Sequence, residues 1–310
     1  KGFVARVVVD EAGRTTSEIR NYSNGTPANP DDNQTVKYEY VDGLRTKIIA
    51  DMPSGESDQE TLYIYGTTAG TPAAQVLSTG DGLRGAKFPD STNTGTTSAN
   101  INSDSSDVVS YAYNAQGQEV YRKDQAGNVY ESDYDTSGRR THQRVTTLAS
   151  GFDGAMRRKS WTYDSLGRSS LATQYDNATV GSGSVTDEVS YTYDGWGGIT
   201  HYKQDKDSAV GTGASYDVVY TYEKATGGRQ TSRRKDATYA GLLVTYDFTG
   251  SSLKDNSASR LSKLKIGATV LAKYEYLGAS RVVGTTYSQP NIARLEYDPS
   301  NDSYTNYLDR

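Results

Sequence analysis

The chain has 310 residues, 33 Lys and Arg against 38 Asp and Glu for a net charge of -5, and no cysteine. A disulfide scaffold and a cysteine nucleophile are therefore excluded, and scattered basic residues leave no electrostatic footprint for nucleic acid. Only 34% of the chain is apolar and 26 residues are Tyr against 4 Phe and 2 Trp, so packing must rely on rings whose hydroxyls stay wet or hydrogen-bonded. No run approaches the ~18 apolar residues of a membrane-spanning helix.

Residues 1–65 carry degenerate copies of a short phrase. Val9-Asp10-Glu11-Ala12-Gly13-Arg14 keeps an acid, a glycine and an arginine, and Val36-Lys37-Tyr38-Glu39-Tyr40 keeps only a strand. Between them, Asn24 to Asp32 reads as a loop from its Pro, Gly, Asn and Asp content. Residues 66–107 form a Gly/Ser/Thr-rich insertion, expected to be a projecting surface loop with a hairpin around Gly80-Asp81-Gly82. The regular block is 108–250. Its clear copies are Tyr134-Asp135 with Gly138 and Arg139, Trp161-Thr162-Tyr163-Asp164 with Gly167 and Arg168, and Val189-Ser190-Tyr191-Thr192-Tyr193-Asp194 with Gly197. Tyr111-Ala112-Tyr113-Asn114 with Gly117, Tyr220-Thr221-Tyr222-Glu223 with Gly227 or Gly228, and Tyr246-Asp247 with Gly250 keep the plan with one element changed. Residues 251–310 read as shorter paired strands, among them Leu261–Ile266, Thr269–Tyr276 and Arg281–Thr286. Tyrosines 113, 134, 163, 193, 222, 246, 276 and 297 mark the period, and no linker divides 1–310 into separate domains.

Each phrase has a physical reading. Alternation puts Val189, Tyr191 and Tyr193 on one strand face and Ser190 and Thr192 on the other. The acid accepts backbone amides ahead of it, and the glycine supplies a left-handed conformation, so the chain turns into a hairpin. Return strands follow at Gln118–Tyr121 and Gly198–Tyr202. The structural residues are then Tyr163, Tyr191, Tyr193, Tyr220 and Tyr222 along the strands, with Gly138, Gly167 and Gly197 at positive φ.

These phrases resemble the YD-repeat, or Rhs, family of bacterial proteins, from about Val4 to the end. The resemblance implies an all-β fold, repetitive antiparallel β-hairpins forming a curved or spiralling sheet that walls a shell or tube, exported to the cell surface. Many such shells end in a self-cleaving core with an Asp-Pro-x-Gly-Leu signature. Asp298-Pro299 matches its first two residues, but Ser300-Asn301-Asp302 departs from it, so that activity is not carried over.

Other chemistry is sparse. His142 and His201 are the only histidines, and both read as strand residues. Asp205-Lys206-Asp207 is a weak calcium pattern lacking a loop glycine, and Gly181-Ser182-Gly183 and Gly211-Thr212-Gly213 lack the lysine of a phosphate loop. No cofactor, metal or catalytic residue is expected. Arg157-Arg158-Lys159 and Arg233-Arg234-Lys235 read as solvated loops or edge-strand guards. Sequons at Asn21, Asn24, Asn33, Asn177 and Asn301 could accept glycans. Phrases unfinished at both ends suggest continuation by further repeats or self-association through strand edges. The expected function is a structural wall of a fibre, tube or shell. The alternatives are a carbohydrate-binding adhesin using exposed Tyr and Trp196, a fragment of a toxin-encapsulating shell, and a processing enzyme.

Overall fold

The structure is a computed structural model describing residues 4–24, 32–70, 74–101, 105–211, 215–225, 232–250, 253–278, 280–288, 294–298 and 303–307; for 253 and from 294 onward it describes backbone alone. Two compact units are defined, Lys1–Ser160 with Tyr175–Gly183, and Trp161–Gln174 with Ser184–Arg310.

In the first unit, β1 (Arg6–Val9), β2 (Thr15–Arg20), β3 (Gln34–Val41), β4 (Leu44–Ala50), β5 (Gln59–Thr67), β6 (Thr79–Lys87), β7 (Val109–Tyr113), β8 (Glu119–Lys123), β9 (Val129–Tyr134) and β10 (Arg140–Thr147) follow one another. Each pairs antiparallel with its neighbour in sequence. The hairpin of β11 (Arg158–Tyr163) and β12 (Ser169–Tyr175) is divided: its turn end falls in the second unit, its open end in the first.

The second unit continues with β13 (Val185–Tyr193), β14 (Ile199–Asp205), β15 (Tyr216–Lys224), β16 (Ser232–Tyr239) and β17 (Leu242–Asp247), then α1 (Leu253–Ser257), β18 (Lys263–Ile266), β19 (Thr269–Leu277), β20 (Arg281–Tyr287), β21 (Arg294–Asp298) and β22 (Ser303–Tyr307). Again each strand from β13 pairs antiparallel with the next. The described chain is thus all-β, a meander of antiparallel hairpins with one five-residue helix.

A bulge recurs where many of the hairpins approach their turns. Thr192 faces His201 but Tyr193 faces Ile199, so the return strand carries one residue more. The same step occurs at Val9, Tyr40, Tyr65, Tyr113, Tyr134, Tyr222 and Tyr276. Such a bulge raises local twist and re-aims the side chain beside it. Here that side chain is a tyrosine in every case but Val9, and an acid follows it at Val9, Tyr134, Tyr193 and Tyr222.

Three expectations are corrected. First, Gly80-Asp81-Gly82 lies inside β6 and is no hairpin, and the insertion is no projecting loop. It brings Ile101, 0% exposed, onto Ile64, Leu62 and the equally buried Val108 just beyond it. A sheet face poor in aliphatic groups is covered by its own insertion, because apolar area removed from water is what stabilises it. Second, Asp247 does not open a tight hairpin with Gly250. Its Oδ1 accepts the Thr249 amide at 2.9 Å, but α1 intervenes before β18. A Cβ on Gly250 would lie 2.8 Å from the Ser262 hydroxyl, so glycine serves close approach there.

Third, the basic runs contain buried clamps. Arg158 is 3% exposed; its guanidinium donates to the carbonyls of Asn177 at 2.9 Å and Ser182 at 3.0 Å and to that of Thr179, and lies 3.9 Å over the Tyr175 ring. Arg233 is 9% exposed, pairs with Glu223 at 2.6 Å, donates to the Asn256 carbonyl at 2.7 Å and covers Phe248 at 3.9 Å. A planar fork of five donors closes such loops from inside, where an ammonium would satisfy fewer carbonyls. Gly227, Gly228, Pro299 and Asn301 lie outside the described residues.

Candidate functional site

The repeated turn is built around its acid. Asp164 Oδ1 accepts the amides of Leu166 and Arg168, both at 2.9 Å, and Oδ2 receives Arg168 Nε at 2.7 Å. Gly167, at φ 81°, lets the chain reverse, and its amide returns to the Asp164 carbonyl at 3.0 Å. One carboxylate thus satisfies two orphan amides and pairs the following arginine, which explains why acid, glycine and arginine keep their spacing. Asp135 repeats this with Arg139 and with Gly138 at φ 78°, and Asp10 does so with Arg14.

The variants keep the geometry. Asn114 caps Gln116 and Gln118 and holds the Gln118 side chain at 2.9 Å. Asp194 caps Trp196 and Gly198, with Gly197 at φ 91°. One further turn, Asp124 to Asn128 with Gly127 at φ 90°, escaped the sequence reading because no tyrosine precedes it; the acid and glycine spacing alone would have shown it. The Arg14 guanidinium holds the Asp10 carboxyl below the usual range, and the Arg139 amide, against a smaller effect of burial, does the same for Asp135.

The second tyrosine of each phrase has a different task. Tyr193 reaches back over the preceding hairpin and donates to the Ser169 carbonyl at 2.7 Å, while the Arg168 guanidinium lies 4.3 Å over its ring. The acceptor is the residue just after the arginine of the previous turn. Tyr40 likewise donates to Thr15 at 2.9 Å with Arg14 at 4.8 Å from its ring, and Tyr276 donates to Leu261 at 2.9 Å with Arg260 at 5.3 Å. Tyr134 donates to Glu119 and Tyr222 to Ile199, each at 2.9 Å. In the Tyr222 seam, Gly198 stands where arginine would be, and a Cβ there would lie 2.8 Å from the Tyr222 ring; the ring fills the arginine's space. Tyr65 and Tyr113 make the same reach to the carbonyls of Arg45 and Leu83, at 3.0 and 2.9 Å.

Each clasp joins one hairpin to the next by a hydrogen bond of about 1 kcal/mol net and, where arginine is present, a ring contact of about 0.5–1 kcal/mol. The hydroxyl must remain protonated to donate. Burial raises the Tyr113 phenol to about 12, helped by Glu119, and burial also raises Tyr65 and Tyr276. The first tyrosines differ. Tyr191 packs on Tyr202 across the pair, centroids 5.5 Å apart, and Tyr220 lies under Arg234 at 4.1 Å. Tyr163, which precedes the acid as the second ring of its phrase, ends β11 half-buried.

The residues considered for catalysis or metal do not converge. His142 Nδ1 meets the Ser160 hydroxyl at 2.9 Å; Asp133, paired opposite His142, directs its carboxylate to Arg144 at 3.0 Å. A hollow of 430 Å³ beside Asp133 is lined by Glu131, Asp135 and Arg144, and neither His142 nor Ser160 reaches it. His201 sits in β14 with Asp217 at 3.2 Å. Asp205, 1% exposed, accepts the Ser208 amide at 3.0 Å and the Ser215 hydroxyl at 3.1 Å, a loop cap. Asp298 ends β21 opposite Ser303. No group of three or more His, Cys, Asp or Glu is placed to hold a metal ion among the described residues. Of the sequons, Asn24 and Asn177 are exposed, whereas the Asn21 amide donates to Asp32 at 2.8 Å.

No protein-family model matches this chain, and no curated protein matches it by sequence. Among solved structures, a chain of the Photorhabdus luminescens Tc holotoxin pore aligns over 98% of this chain and 15% of its own length, with 11% identity and a TM-score of 0.44. A chain of the TcdB2–TccC3–Cdc42 complex aligns over 98% of this chain and 16% of its own, with 14% identity and a TM-score of 0.28. The chain therefore spans less than a fifth of those it aligns with.

Proposed function

We propose that the chain is a structural YD-repeat element, a length of wall in an extracellular or cell-surface fibre, tube or shell, and that it performs no catalysis. The clasp carries this reading. A recurring side-chain hydrogen bond in the described chain joins one hairpin to the next, as in Tyr193 to Ser169 and Tyr222 to Ile199. A sheet held in series by its own repeats extends without a closed core. Sedimentation velocity over a wide concentration range tests it: assembly into larger particles is expected, and a monomer at every concentration contradicts it.

One observation favours a second reading, carbohydrate binding. The exposed rings of Tyr216 and Tyr239 lie side by side, centroids 6.3 Å apart and 31° from coplanar, a surface on which sugar rings could stack. Oligosaccharide titration of the protein and of a Tyr216→Ala, Tyr239→Ala variant checks it; binding unaffected by the double substitution removes it.

A further inference from the structure

Two neighbouring turns of the second unit end in large apolar residues. Leu166 is 71% exposed and Trp196 70%, and both occupy the position between the acid's first follower and the left-handed glycine. The same place holds Ala12, Gln116, Ala126 and Ser137 in other turns. Their turns adjoin, since Arg168 donates to the Asp194 carbonyl at 3.2 Å and Tyr193 to Ser169 at 2.7 Å. Neither apex is a loose loop: Asp164 caps the Leu166 amide and Asp194 the Trp196 amide, both at 2.9 Å.

We propose that the Leu166 and Trp196 apices, with Lys224, form a lipid-docking edge that inserts into the interface of a phospholipid bilayer. The charges around them support this occupant. Lys224 is exposed, its ammonium lies 5.6 Å from the Trp196 ring centroid, and no carboxylate pairs with it among the described residues. The nearby acids are engaged: Asp164 by Arg168 at 2.7 Å, Glu223 by Arg233 at 2.6 Å, and Asp194 by the amides of Trp196 and Gly198. One ammonium is left to complement a lipid phosphate beside an indole and an isobutyl group, the combination that partitions at a bilayer interface. Leu166 and Trp196 are the most exposed large apolar side chains among the described residues, as insertion requires.

The test is vesicle flotation with phosphatidylcholine vesicles, with and without phosphatidylserine, joined to tryptophan emission. In a Trp161→Phe background Trp196 is the sole indole; its emission shifts to the blue on vesicles and is quenched by lipids brominated in their acyl chains. Leu166→Ser with Trp196→Ser reduces the floated fraction about tenfold, with melting of the free protein unchanged, and Lys224→Glu weakens binding to phosphatidylserine vesicles. No flotation of the unaltered protein, flotation indifferent to the double substitution, or a Trp196 shift produced by soluble oligosaccharides and not by vesicles would each overturn the proposal. Should Trp161→Phe lower folding, comparing the unaltered protein with Trp196→Phe supplies the same emission difference.

Discussion

The Tyr193 hydroxyl donates to the Ser169 carbonyl at 2.7 Å, across 24 residues of sequence. That bond adds a side-chain tie to the backbone pairing of successive hairpins, because the carbonyl belongs to the previous hairpin's return strand.

Tyr193→Phe is expected to keep the ring under Arg168 and lose the donor, destabilising the protein by about 1–2 kcal/mol as the Ser169 carbonyl loses its partner. Tyr202→Phe is the control. Its hydroxyl reaches Gln204 only at 3.4 Å, so removal costs less than about 0.5 kcal/mol. Urea unfolding of the two variants compares them.

Gly197→Ala isolates backbone conformation. No atom lies within 4 Å of an added Cβ, while φ is 91°, so the expected loss of about 1–2 kcal/mol is conformational strain alone. Gly197→Asn should lose less, since asparagine tolerates positive φ better. Equal melting of both variants and the unaltered protein would show that the turn does not need a left-handed residue.

Arg158→Ala removes a buried clamp and leaves the carbonyls of Asn177, Thr179 and Ser182 without it. A loss of about 3 kcal/mol is expected, against under about 0.5 kcal/mol for Lys159→Ala. Thermal melting distinguishes a clamp from a solvated charge.

Ile101→Ala tests the insertion as part of the core. Its side chain is fully buried against Ile64 and Val108, and truncation should cost about 2–4 kcal/mol. Calorimetry showing no change would return residues 66–107 to the surface.

How far the sequence revealed this differs by feature. Strand alternation and the acid-to-glycine turn are local, so Tyr191, Tyr193, Gly138, Gly167 and Gly197 could be placed from spacing. The preference for tyrosine over phenylalanine signalled that the hydroxyl has a task, but its acceptor depends on the register between hairpins, which no single phrase encodes. Arg158 and Arg233 were misread because a charge run looks alike whether it faces water or closes a loop whose carbonyls lie 19 to 24 residues away. Ile101 was hidden in a Ser- and Thr-rich stretch, where one isoleucine has no periodicity to display.

The pH dependence has two limbs. Tyr113 is raised to about 12 by burial and Glu119; its neutral form is favoured on folding, so this stability is complete below the ordinary phenol value near 10 and is lost as pH rises toward 12. Burial pushes Asp247 up, but the Lys265 ammonium and the Thr249 donors outweigh it and hold the carboxyl at about 2. Its contribution is present above the unfolded value near 4 and is lost as pH falls toward 2. Phenolate absorbance rising in step with unfolding above pH ~10, rather than at a constant fold, checks the alkaline limb.

Electron microscopy of the native material, imaged without assuming a monomer, is the most direct measurement of the structural role. The account predicts filaments, tubes or closed shells with walls one sheet thick. Separate single-chain particles under all conditions would contradict it.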